Sequence, residues 1–82
     1  MSSGKIETVQ GMCVVALTKY LMKKFDLSQD KAYAMLLQTE LYSLLMDSET
    51  GLYLETNQYL FEACDEETDN GIEALYEYIN QE

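Results

Sequence analysis

Apolar residues recur at intervals of three and four along most of this 82-residue chain, the spacing that places them on one face of an α-helix. The first such stretch runs from about Lys5 to Lys24, with apolar residues at Ile6, Val9, Cys13, Ala16, Leu17, Tyr20 and Leu21. Met12, Val14 and Val15 fill the gaps, so the middle of this helix is apolar nearly all round. We therefore expect a helix that is either central to the fold or shows a second face to a partner.

A second helix is expected to begin after Ser28, whose side chain can accept a hydrogen bond from the first turn, and to run to about Met46. Its buried stripe is expected to comprise Ala34, Leu37, Leu41, Leu44 and Leu45. The segment 47–55 then interrupts the helical spacing, with a turn expected at Gly51. We interpret this segment as an ordered loop whose apolar tip packs on the helices.

Two shorter helices complete the expected fold. Either Thr56 or Asn57 can cap a third helix that runs to about Glu67. Its expected buried residues are Tyr59, Leu60 and Ala63, with Cys64 as a further candidate. A fourth helix from Ile72 to Asn80 follows a turn and has its apolar stripe at Ile72, Leu75, Tyr76 and Ile79. The sequence thus predicts one all-α domain over residues 1–82, a bundle of three to four helices with an ordered loop at 47–55.

Charge is divided unevenly between two parts of the chain. All five lysines lie within the first 31 residues beside three acids, whereas residues 32–82 hold twelve acids and no base. Direct binding to nucleic acid requires cationic contacts to phosphate, which only the cluster of Lys19, Lys23 and Lys24 could supply, so we expect none. The acidic part should instead attract a protein partner with a basic surface.

The sequence indicates neither a membrane span nor a secretory signal. The longest apolar run, Met12 to Leu17, has six residues, whereas a bilayer requires roughly 20. The polar start of the chain lacks the apolar stretch of a signal peptide, so we expect a cytoplasmic protein that does not associate with membranes. Cys13 and Cys64 are expected to be small buried side chains in a reducing compartment, although an oxidising one would allow a disulfide between them.

The residue types on which most enzymes depend are missing or undistinguished. The chain has no histidine, and its four glycines are isolated, so it has no phosphate-binding loop. Fifteen acids make adjacent carboxylates unremarkable in this chain. We therefore expect no catalytic residue, no cofactor and no metal, and an enzyme is the least favoured class of function.

One segment resembles a calcium-binding loop in part. Residues 66–77 place Gly71 sixth and Glu77 twelfth, which are two diagnostic positions of such a loop. The first position is Glu66 instead of aspartate and the third is Thr68, both of which argue against calcium. We interpret the segment as the end of one helix, a glycine turn and the start of another.

Tyrosine gives a better indication of function. The chain has seven tyrosines, and this side chain is enriched at interfaces because it combines apolar area with a polar tip. About four of them are expected at the boundary of the core, whereas Tyr42, Tyr53 and Tyr78 fall off the main apolar stripes. Together with Glu49 and Glu55, these three form the predicted partner-binding set.

Residues 31–70 and their immediate flanks resemble a group of small uncharacterised bacterial proteins. The similarity lies in Asp30-Lys31-Ala32-Tyr33, Leu41-Tyr42-Ser43-Leu44-Leu45-Met46-Asp47, Glu49-Thr50-Gly51-Leu52-Tyr53-Leu54-Glu55 and Tyr59-Leu60-Phe61, with Glu67 and Gly71. Proteins of this group are helical, and some accompany toxin-like partners. The resemblance therefore implies a helical fold and an antitoxin or accessory role.

Two functions are compatible with these observations. The first is a protein-binding module that recognises a basic partner through its acidic part. The second is a structural protein that forms a homodimer through the all-round apolar first helix.

Overall fold

The computed structural model describes residues 3–81, and within this range it has five α-helices and no strand. The helices are α1 (Ser3–Phe25), α2 (Gln29–Leu37), α3 (Glu40–Met46), α4 (Asn57–Asn70) and α5 (Ile72–Ile79). Two 3-10 helices, Ser48–Thr50 and Leu52–Leu54, connect α3 to α4. The all-α prediction is confirmed, with five helices where three to four were expected. Residues 1, 2 and 82, which the predicted domain limits include, lie outside the described range.

The additional helix arises because the helix expected from Ser28 to Met46 is interrupted. Ser28 caps α2 as expected, by accepting a hydrogen bond from the backbone N–H of Lys31. The chain then leaves the helical conformation at Thr39, whose hydroxyl accepts a hydrogen bond from the N–H of Tyr42 and so caps α3. The prediction of one continuous helix was wrong.

A carboxylate from a distant part of the chain completes the start of α3. One Glu67 oxygen accepts a hydrogen bond from the N–H of Glu40 at 2.7 Å, and the other accepts from the N–H of Leu41 at 2.9 Å. These two N–H groups have no partner within α3, and a negative charge is favourable at a helix N-terminus. Glu67 of α4 therefore stabilises the helix break and fixes α3 against α4.

The break also changes which residues of α2 are buried. Ala32 and Leu36 are fully buried, whereas Ala34 and Leu37, which the predicted stripe contained, are exposed. The remainder of that stripe lies in α3, where Leu41 and Leu45 are fully buried and Leu44 is half-buried. A single stripe across both helices cannot be correct because the interruption resets the helical phase.

The core is formed by leucines from α1 to α5. Seven of them are completely buried, namely Leu17, Leu21, Leu36, Leu41, Leu45, Leu60 and Leu75. Burial of each such side chain contributes about 1.5–3 kcal/mol to folding. Cys13 and Cys64 lie in the same core as free thiols, which confirms their predicted burial.

The segment 47–55 is ordered, as predicted. Gly51 joins its two 3-10 helices with a φ of 72°, a conformation that glycine adopts without steric penalty. Leu52 is buried and Tyr53 is half-buried, but Leu54 is 74% exposed. The expected apolar tip thus packs on the helices only in part.

Of the two candidate caps for α4, Thr56 is the correct one, since its hydroxyl accepts a hydrogen bond from the N–H of Tyr59. Residues 66–77 are helical except for Gly71, whose φ is 100°. They form a helix end, a glycine turn and a new helix instead of a calcium-binding loop. On α5, Leu75 is buried as expected, whereas Ile72 and Tyr76 are exposed.

Candidate protein-binding surface

Within residues 3–81, no other element covers one side of α1, the longest helix. The inner side of α1 carries the buried Cys13, Leu17 and Leu21. On the opposite side, Met12 and Val15 are 67% and 53% exposed. A shallow depression on that side is lined by Thr8, Gly11, Met12, Val15, Ala16 and Lys19, and we refer to these six residues as the α1 outer face.

Gly11 lies within this depression. A Cβ atom built on Gly11 would have no heavy atom within 4 Å beyond its own helix, so no other part of the described chain, residues 3–81, approaches the face there. Glycine in the interior of a helix costs about 0.5–1 kcal/mol relative to alanine. No packing contact among the described residues explains this cost. The missing side chain instead leaves room on the surface between neighbouring turns of α1.

The α1 outer face continues into a groove between α1 and α2. This α1–α2 groove has a volume of about 350 Å³ and is lined by Val14, Val15, Thr18, Lys19, Met22, Gln29 and Tyr33. Val15 and Lys19 belong to both surfaces, so the two form one continuous apolar region with polar groups at its edge. Contiguous apolar surface of this kind marks interaction sites more often than single exposed apolar residues do.

Lysines lie on the same side of α1 as the exposed apolar residues. Lys5, Lys19 and Lys23 are all exposed, and helical spacing places them in line with Met12. The α1 outer face itself contains no carboxylate. The surface is therefore apolar at its centre and basic along its length, in a chain whose net charge is −10.

Lys24 differs from these three lysines because its ammonium group is already bound. It forms ion pairs with Asp65 at 2.8 Å and Asp69 at 3.0 Å, and it donates a further hydrogen bond to the hydroxyl of Thr68. Partial burial lowers the pKa of Lys24, but its hydrogen bonds to the two carboxylates outweigh this effect and raise the pKa above its ordinary value. Lys24 thus fastens α1 to α4 and is not available to a partner.

The tyrosines of the predicted partner-binding set are all half-buried against the core. The Cys13 thiol donates a hydrogen bond to the backbone carbonyl of Tyr53 at 3.7 Å. The hydroxyl of Tyr78 donates a hydrogen bond to Glu62, and its ring lies 5.1 Å from that of Tyr59. Tyr78 thus has a structural role in joining α5 to α4, whereas Tyr42 packs against the core from α3.

The two predicted acids, Glu49 and Glu55, are exposed within the 47–55 segment. Tyr33 and Tyr76, which are 43% and 37% exposed, were not among the predicted contacts. Tyr33 lines the α1–α2 groove. The signal that did point to this region was the all-round apolar middle of the first helix.

The described residues include no arrangement that suggests a metal centre. Within residues 3–81, no three cysteine or acidic side chains are placed to hold a metal ion. Burial raises the pKa of the Cys64 thiol to about 11, so it is protonated at neutral pH and is a poor nucleophile. No helix in the same range is both long enough and apolar enough to cross a membrane.

Comparison with known proteins gives no relative. No family model, no curated protein and no solved structure matches the chain. Function must therefore be inferred from the surface of the chain itself.

Proposed function

We propose that this chain is a protein-binding module that holds an apolar segment of another protein chain on the α1 outer face and in the α1–α2 groove. The observation that carries the proposal is the exposure of Met12 and Val15 in the middle of the longest helix. Leaving large apolar side chains in water at the centre of a 23-residue helix forgoes stabilisation that a covering element would supply.

The shape and chemistry of the region support a helical ligand. An amphipathic helix binds by inserting side chains spaced three and four residues apart into an apolar groove. The depression around Gly11 and the α1–α2 groove offer two adjoining places for such side chains. Lys19, which borders both, can pair with an acidic residue of the ligand. The proposed role is binding without catalysis, in keeping with the absence of histidine from the sequence.

A matched pair of variants tests the location of the surface. We suggest Met12→Asp, on the α1 outer face, and Leu54→Asp, at the exposed tip of the 47–55 segment, since both residues are highly exposed. Each tagged variant and the wild type are used to capture proteins from a lysate of the source cells, which are identified by mass spectrometry. We expect Met12→Asp to lose proteins that the wild type and Leu54→Asp both retain.

The opposite result would locate the interface elsewhere. If Leu54→Asp loses the captured proteins and Met12→Asp keeps them, the 47–55 segment is the binding surface, as the set of Tyr53, Glu49 and Glu55 predicted. Equal capture by all three proteins would contradict a role for either surface.

A second candidate function is recognition of a basic partner by the acidic part of the chain. It is favoured by the twelve acids and no base in residues 32–82, and an antitoxin-like role would be one form of it. Replacing the exposed Glu49 and Glu55 by glutamine should then reduce capture of basic proteins at low salt. Unchanged capture of those proteins would argue against this function for the 47–55 segment.

A further inference from the structure

The exposed side of α5 complements the α1 outer face in charge and shares its apolar character. Ile72 and Tyr76 are 51% and 37% exposed, and their separation of four residues places them next to each other on the helix surface. Glu73 and Glu77 are also exposed and lie alongside them. We refer to these four residues as the α5 outer face. It is a short apolar stripe with an acidic border, whereas the α1 outer face is apolar with a basic border.

Both outer faces are exposed in the described part of the chain. The inner side of α5, which includes Leu75 and Ile79, packs into the core, and the hydroxyl of Tyr76 donates a hydrogen bond to Glu40 of α3. The inner side of α1 is likewise occupied by the core. Both outer faces therefore point to solvent, and they can meet only if they belong to two different molecules.

We propose that the occupant of the α1 outer face is the α5 outer face of a second copy of this chain. This inference rests on the proposed function and names its partner. In such a contact Ile72 and Tyr76 cover Met12 and Val15, while Glu73 and Glu77 lie beside Lys19 and Lys23. Because the two faces differ, the contact is head-to-tail: in a pair, one molecule keeps a free α5 outer face and the other a free α1 outer face, so further copies can add.

Charge should make the contact between the two outer faces selective, and its small area should make it weak. Each copy carries a net charge of −10, so two copies repel each other in most orientations. Lysines that are free to meet a carboxylate lie only in the first 31 residues, and three of them border the α1 outer face. When the α1 outer face of one copy meets the α5 outer face of another, the lysines of the first attract the glutamates of the second. The α5 outer face spans only two helical turns, so the buried area is small and the association is expected to be weak.

The test uses charge reversal at each face. The lysine-reversed variant is Lys19→Glu/Lys23→Glu, and the glutamate-reversed variant is Glu73→Lys/Glu77→Lys. Analytical ultracentrifugation over a protein concentration of about 10 µM to about 1 mM covers weak association. We expect the average mass of the wild type to rise with concentration, and each reversed variant to associate at least about tenfold more weakly. An equimolar mixture of the two variants should associate again, because each supplies the charge that the other lacks.

The matched control is Glu49→Lys/Glu55→Lys, which changes the net charge from −10 to −6 as the glutamate-reversed variant does. It leaves the α5 outer face unchanged, and its lower net charge should let it associate at least as strongly as the wild type. If both variants at −6 associate more strongly than the wild type, net charge alone governs association and the proposal is overturned. Circular dichroism checks that each variant is folded. If a charge-reversed variant does not fold, Met12→Ser and Ile72→Ser test the same contact. Each of these two variants is expected to weaken association.

Three further results would also overturn the proposal. A wild type that stays monomeric throughout the concentration range would exclude the second copy. Association that survives glutamate reversal would place the contact elsewhere, for example between two α1 outer faces. A mixture of the two reversed variants that stays monomeric would show that these faces do not meet. The two proposals can also fail separately. If the wild type is monomeric but Met12→Asp loses proteins that the wild type captures from lysate, the second copy is rejected as the partner, and the proposed protein-binding function stands.

Discussion

Helix α1 carries apolar residues on two sides that have different surroundings. The inner side contributes Leu17 and Leu21, which have no exposed surface, and the outer side contributes Met12 and Val15, which are more than half exposed. Helix α1 contacts α2, α4 and the second 3-10 helix, whereas no element of the described chain covers the depression at Gly11. Apolar character alone therefore does not determine burial, and the uncovered side of a long helix is where a partner is to be sought.

The largest difference between the two sides should appear in stability. Leu17→Ala is expected to lower the free energy of unfolding by about 2–5 kcal/mol, because it leaves a cavity in the core. Val15→Ala, on the outer side, should change it by less than about 0.5 kcal/mol. Urea unfolding followed by circular dichroism measures both. A loss of similar size for Val15→Ala would mean that the outer side is packed.

Two adjacent lysines extend the comparison to charge. Lys24→Ala removes the contacts to Asp65 and Asp69 and is expected to cost about 1 kcal/mol, a modest value because both carboxylates are partly exposed. Lys23→Ala should have little effect on stability but should weaken association between copies. Urea unfolding distinguishes the two variants. If both lose the same free energy of unfolding, Lys24 does not fasten α1 to α4.

Gly11→Ala should separate stability from binding. The variant is expected to raise the free energy of unfolding by about 0.5–1 kcal/mol, because alanine is the better helix former and its methyl group meets open space. The same methyl group fills part of the depression and should weaken association. A variant that is less stable than the wild type would indicate that the chain itself uses the space above Gly11.

The smallest expected effect on stability concerns the pH dependence of Tyr78, which lies on the inner side of α5. Its hydrogen bond to Glu62 and its partial burial raise the pKa of Tyr78 to about 12, from an unfolded value of 10. A raised folded pKa means that this contribution to stability is complete below pH 10 and is lost as the pH rises from 10 towards 12. Ultraviolet titration should show that Tyr78→Phe removes a late-ionising tyrosine. If Tyr78→Phe instead removes a tyrosine that ionises early, the hydrogen bond from Tyr78 to Glu62 is contradicted.

Local signals in the sequence predicted much of the fold. Ser28 and Thr56 were recognisable as helix caps, and Gly51 and Gly71 as turns, because each acts on its neighbours in the chain. The break at Thr39 was missed although threonine can cap a helix. Glu67, which completes that cap from α4, is 27 residues away from Glu40 in sequence, and a local pattern does not reveal such a contact.

The candidate surface was only partly predictable for a similar reason. The spacing of apolar residues showed that α1 has a second apolar side, but it could not show which side the other helices cover. The choice of Tyr42, Tyr53 and Tyr78 assumed that residues off the main stripes face outward. All three are half-buried against the core, and their role in partner binding stays a prediction.

The most direct test of the account maps the contact residue by residue. Amide correlation spectra of the ¹⁵N-labelled wild type are recorded at increasing protein concentration, and the shifts are followed at each backbone N–H. If the α1 outer face meets the α5 outer face of a second copy, the shifts that change will cluster at Thr8, Met12, Val15 and Lys19 and at Ile72 and Tyr76. Changes confined to other residues, or none at any concentration, would contradict this contact.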